Sequence, residues 1–137
     1  MTAIILDTRA LEVIADPKAD PRATQRMRDL LAVAARTATP VRVPTAVLAE
    51  AYRNTTADAA IDRVLGNGIR PITLGQSTAR HAGGLKHRDR LDSCHTVDAV
   101  VVATAIRLGG GLIATGDPDD LRSLAREHAH VKVEALS

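Results

Sequence analysis

Five short apolar runs, separated by helix-patterned stretches, decide what this chain can fold into. The runs are Ile4-Ile5-Leu6, Val41-Arg42-Val43, residues 69–74, 112–114 and 131–134. Each is too short for a buried helix and is bounded by turn residues, as buried strands are. Between them lie stretches 8–15, 21–37, 44–53, 57–65, 77–85, 97–108 and 118–127. In 21–37, Met27, Leu30, Leu31 and Ala34 fall on one helical face, with Arg22, Arg26 and Arg36 left for solvent. Strands alternating with helices imply an α/β domain whose parallel sheet is covered on both faces. Pro71 cannot donate to a ladder, so its strand belongs at an edge. Gly109-Gly110-Gly111 reads as the end of helix 97–108, and 86–95 as a charged, irregular connection.

The 137 residues suffice for one domain with its own core, spanning 1–137, and no repeat or long linker divides them. Phe and Trp are absent and Tyr52 is the only aromatic, so Ala, Val, Leu and Ile must build the core. This excludes single-strand recognition by rows of stacked aromatics. The net charge is only +2, a weak signal for nucleic acid. All of the 18 basic residues except Lys18, Lys86 and Lys132 are Arg, the side chain suited to bidentate phosphate contacts. A single cysteine, Cys94, forms no internal disulfide and fits a reducing, cytoplasmic setting. Asp7 and Arg9 interrupt the first apolar run early, which argues against a secretory leader, and no run is long enough to span a membrane.

Carboxylates occupy distinctive places in this pattern. Asp7 ends the first strand, Asp117 follows the fourth, and Glu50 and Asp98 lie in helices that follow strands. In parallel sheets, ligands bind beyond the carboxyl ends of the strands. Each acid also has a local structural reading. Asp7 can hold backbone amides in a turn, Glu50 can be a solvated helix charge, and Asp98 favours a helix dipole. Asp119 or Asp120 can cap the last helix. Brought together, two carboxylates ~5 Å apart repel by roughly 3 kcal/mol at an effective dielectric near 20. A hard divalent cation such as Mg²⁺ or Mn²⁺ removes that penalty.

The segments Ile4-Ile5-Leu6-Asp7-Thr8, Val47-Leu48-Ala49-Glu50 and Thr96-Val97-Asp98-Ala99 resemble, in order and spacing, those of PIN-domain ribonucleases. The stretch Ile113-Ala114-Thr115-Gly116-Asp117-Pro118-Asp119-Asp120-Leu121 extends the likeness over nearly the whole chain, and the VapC toxins of toxin–antitoxin pairs are the most similar branch. The resemblance implies a three-layer α/β/α PIN-like domain with a central, mainly parallel sheet. It implies that Asp7, Glu50, Asp98 and Asp117 are catalytic and hold Mg²⁺ or Mn²⁺, with Asp120 as a further acid and Asp119 a bystander. Thr8 and Thr115 match positions that support the acids by hydrogen bonding. The implied reaction is endonucleolytic hydrolysis of tRNA or rRNA by water, leaving a 5′-phosphate and a 3′-hydroxyl. A VapB-type antitoxin and a homodimer are the implied partners. Arg9 stands where the family has a small residue, and Leu121 where an aromatic is frequent.

RNA must be held against an acidic centre, which makes Arg9, Lys86, Arg88 and Arg90 the candidate contacts; a solvated loop is the plainer reading of 86–90. The five histidines show no coherent zinc spacing with Cys94, and the triple glycine lacks the Lys-Ser/Thr of a phosphate loop. Two other functions remain open. A non-catalytic PIN-like module would bind RNA or a partner without cleaving. A phosphatase using Asp7 would need a second acid two residues on, where Arg9 stands.

Overall fold

The computed structural model describes residues 2–136. Strand β1 (Ile4–Leu6) is wholly buried, as a strand with both faces covered must be. Helices α1 (Thr8–Ala15) and α2 (Pro21–Thr37) lead to β2 (Val41–Pro44). Helices α3 (Thr45–Ala51) and α4 (Asp58–Gly66) lead to β3 (Arg70–Ile72). Then come α5 (Gln76–Arg88), a 3₁₀ turn at Ser93–His95, and α6 (Thr96–Arg107). Strand β4 (Gly111–Thr115), α7 (Pro118–Leu124) and β5 (Val131–Ala135) complete the order.

The five strands form one sheet in the order β3-β2-β1-β4-β5, every pair parallel. From β1 the chain first steps outward through β2 to β3, then crosses back to β4 and steps outward to β5. Right-handed crossovers therefore place α1 to α4 on one face and α5 to α7 on the other. Most contacts follow suit, with α1 packed on α2, α3 and α4 and α6 packed on α5 and α7; α3 also reaches α6, which brings the helices of Glu50 and Asp98 together. Between β1 and β4 the strand order reverses, and a crevice opens there beyond the strand ends. Leu6 pairs with Ala114, so the residues that follow the two strands meet in that crevice.

Capping fixes the helices nearest the crevice. Asp7 caps α1 through Ala10 N–H at 2.9 Å, and Asp20 caps α2 through Ala23 N–H at 3.1 Å, with Pro21 in the first turn. Helix α6 is buried almost all round, from Ala99 to Ala105; its Thr104 hydroxyl turns back to the Val100 carbonyl at 2.7 Å. Ala, Val, Leu, Ile and Met27 fill the core. Tyr52 packs at its margin and donates to Asp62 at 2.6 Å, which raises the phenol pKa to about 12 and ties α3 to α4.

Three local expectations are corrected. Helix α5 runs on through Lys86, His87 and Arg88, because cations in a last turn complement the helix dipole. The glycines do not simply end α6. Gly111 already belongs to β4, where a side chain would meet the Ala3 carbonyl at 2.6 Å. Neither Asp119 nor Asp120 caps α7; Asp117 stands at that position and makes no side-chain cap. Pro71 does lie in an edge strand, β3.

Candidate active site

Asp7 is buried at the end of β1 and is held at both oxygens. Its Oδ1 accepts from Ala10 N–H, and its Oδ2 from the Thr115 hydroxyl and from Gly116 N–H at 3.2 Å. Thr115, wholly buried, also accepts Asp117 N–H at 2.8 Å. One hydroxyl thus fixes both a carboxylate after β1 and the backbone of the acid after β4. Burial pushes the pKa of Asp7 up, against the three hydrogen bonds, and the charge of Glu50 adds to the rise.

Asp98, half-buried in the first turn of α6, stands with Asp117 and Asp120; one oxygen from each lies within 4.8 Å of the others. Unit charges at that spacing repel by roughly 3 kcal/mol at an effective dielectric near 20. Burial raises the pKa of Asp98 to about 6, and Asp117, Asp7 and Asp120 add to the shift. Asp117 is raised too, first by burial and then by Asp120. Asp119 points into solvent with its side chain 98% exposed and pairs with Arg122 at 3.9 Å.

Asp7, Glu50, Asp98 and Asp117 all line one cleft of about 420 Å³. Glu50 is exposed on α3, and its Oε1 accepts the Thr8 hydroxyl. Asp7 and Glu50 share the cleft without joining the close trio of Asp98, Asp117 and Asp120. Arg9 lies on the rim and pairs with Asp20 at 3.1 Å. Its stem covers Gly116, where an added Cβ would meet Arg9 Cγ at 2.5 Å. A small residue after Thr115 is what lets Arg9 lie over the cleft.

The other basic candidates are less free than the sequence suggests. Lys86 donates to Thr96 at 2.9 Å, joining α5 to the start of α6. Arg88 is engaged by Asp89 at 2.8 Å, Glu127 at 3.3 Å and the Leu124 carbonyl. Arg126 also holds Asp89, and the two guanidiniums keep that carboxyl well below its usual range. Arg90 is exposed, at a φ of 56°, with no ion pair among the described residues. Sequence reasoning set His95 aside with the other histidines, yet it stands beside the acids. Its Nε2 faces Asp120 Oδ2 at 3.9 Å and its Nδ1 faces Asp92 Oδ1 at 3.4 Å. The available signal was its place one turn before Asp98.

The donor set fits a hard divalent cation. Asp98, Asp117 and Asp120 offer oxygens only, at close spacing, and the pKa values of Asp98 and Asp117 are raised, first by burial and then by neighbouring carboxylates. Comparison with curated protein sequences finds no match. Among solved structures, the chain is similar to one from a crystal structure of Rickettsia felis VapBC2 bound to a DNA fragment from its promoter. The TM-score is 0.69 at 14% identity, covering 97% of this chain and 98% of that one. Residues 4–127 match the family described as PIN domain, a span that takes in β1, Asp7, Glu50, Asp98, Asp117 and Asp120, and the chain belongs to that family.

Proposed function

We propose that this protein is a Mg²⁺- or Mn²⁺-dependent endoribonuclease toxin of the VapC type, cleaving tRNA or rRNA. The observation that carries this reading is the gathering of Asp7, Glu50, Asp98 and Asp117 on one cleft, with Asp120 beside Asp98 and Asp117. PIN domains are generally nucleases, which favours chemistry over simple binding. Asp98, Asp117 and Asp120 would hold the cation, and Asp7 has its carboxyl fixed at the cleft floor by Thr115 and Gly116. The cation supplies Lewis acidity for attack of water on a phosphodiester. Glu50 has its Oε1 fixed by Thr8 and offers its other oxygen to orient the attacking water and take its proton. Arg9 on the rim and the exposed Arg90 contact the RNA backbone, with Lys86 beside them. Arg88 serves mainly to hold α5 against α7.

The solved relative's name, VapBC2, supports a VapB-type antitoxin as partner. An apolar groove of about 680 Å³ between α1, α2 and α4, lined by Ile14, Leu31, Ala34 and Val64, suits one of its segments. A homodimer and a cytoplasmic setting complete the proposal. No helix among the described residues is long and apolar enough to cross a membrane.

The test is incubation of the pure protein with total RNA, with Mg²⁺, with Mn²⁺ and with chelator, followed by mapping of the ends. Cleavage should need the cation, leave 5′-phosphates, and fall by about a hundredfold or more in Asp98→Asn. Cleavage that persists in chelator and in that variant overturns the proposal. RNA binding without cleavage by either protein establishes a binding module in its place.

A further inference from the structure

We infer that Asp92, Cys94 and His95 form a second cation site, built for a transition-metal ion of the Zn²⁺ class. It is separate in chemistry from the acidic centre. One donor from each residue lies within 4.8 Å of the other two. Cys94 Sγ is 3.2 Å from His95 Nδ1, and that nitrogen is 3.4 Å from Asp92 Oδ1. Zinc bonds of about 2.3 Å to sulfur and about 2.0–2.2 Å to nitrogen and oxygen imply tetrahedral edges of about 3.5 Å (S to N) and about 3.4 Å (N to O). The two measured separations are close to those edges before any ion binds. Thiolate, imidazole and carboxylate together select a borderline-soft ion, whereas Asp98, Asp117 and Asp120 present oxygen alone.

The surroundings supply what such a ligand set needs. Asp92 Oδ1 accepts Cys94 N–H at 3.1 Å, which holds the 3₁₀ turn in shape. With Nδ1 on the ion, His95 must carry its proton on Nε2, and that nitrogen faces Asp120 Oδ2 at 3.9 Å. A carboxylate beyond the far nitrogen of a ligating histidine is the usual outer partner in zinc sites. Asp92 and Cys94 are exposed, so an ion can enter and a fourth position stays open to water. Binding converts the Cys94 thiol to thiolate and releases its proton to solvent. Asp120 faces His95 Nε2 and also belongs to the acidic trio, so the two sites share a neighbour.

The experiment is a Co²⁺ titration of the reduced, chelator-treated full chain, read by the thiolate-to-cobalt charge-transfer band. The wild type should develop the band near stoichiometry, lose it to Zn²⁺ and keep it in excess Mg²⁺. Cys94→Ser should lack the band while melting as the wild type does. His95→Ala should bind about tenfold more weakly or worse. Asp98→Asn should keep the band, which separates this site from the acidic centre whether or not the protein cleaves RNA. The inference is overturned if the wild type shows no band, if Mg²⁺ or Asp98→Asn removes it, or if it appears only with dimerisation through Cys94.

Discussion

Asp98 sets the pH behaviour of the cation-free protein. Its pKa in the folded chain is about 6, above the ordinary value of 3.8, so the folded state binds a proton more tightly than the unfolded one. The stabilising effect of that proton is absent above pH 6, grows as pH falls through 6, and is complete below about 3.8. Asp7 and Asp117 shift the same way, whereas Asp20 and Asp92 shift down and weaken the fold only as pH falls further. His81, lowered first by burial, works in the opposite direction over the same range, so the gain between pH 7 and 5 in chelated protein is assigned to Asp98 by comparing wild type with Asp98→Asn. Asp98 contributes about 1 kcal/mol of that gain once the screening of a half-exposed charge is allowed for. Denaturant melts at the two pH values check this, and Asp98→Asn should flatten the difference. Thr115→Val tests a different residue. It strips the buried Asp7 carboxylate of a donor and should cost about 1–3 kcal/mol by the same assay, with activity falling as Asp7 loses its orientation.

At the scale of elements, the caps carry testable energy. Helix α2 ends at Ala38, whose φ of 55° is left-handed. Glycine adopts that conformation without the Cβ clash, and its greater freedom when unfolded offsets part of the gain. Ala38→Gly should raise stability by about 0.5–1 kcal/mol, seen as an upward shift in melting temperature. The elements also show what could be read from sequence. Strand β1 was legible because a strand covered on both faces is apolar without interruption, and β3 because Pro71 tolerates only an edge. The end of α5 was not legible. Gly83 and Gly84 weaken its pattern, and the charges at 86–88 read as loop until the helix dipole and the Asp89 and Thr96 contacts are known. The acids could be placed at strand and helix ends. Their meeting depends on pairings such as Thr115 with Asp7, 108 residues apart, which no local pattern encodes.

Across the whole molecule, the sheet links the two ends of the chain, and a cation in the cleft links the same segments again. Saturating Mg²⁺ or Mn²⁺ should stabilise the folded state by about 2.7 kcal/mol at a hundred times its dissociation constant, since the unfolded chain holds no such site. Thermal melts with and without the ion check this, and an unchanged melting temperature across a wide concentration range speaks against cation binding. Asp98→Asn should shrink the shift while raising the chelated protein's own melting temperature. A variant that is sturdier and less active separates a carboxylate kept for chemistry from one kept for the fold.

Strand β4 lies beside β1, and this adjacency has a consequence for synthesis. The floor of the cleft needs Asp7 from the beginning of the chain and Thr115 and Asp117 from near its end. During translation Asp7 emerges early, yet the hydroxyl that orients it is still to be made. No nascent fragment lacking β4 can carry the assembled cleft floor, so whatever chemistry the cleft performs waits until both strands have been made and paired.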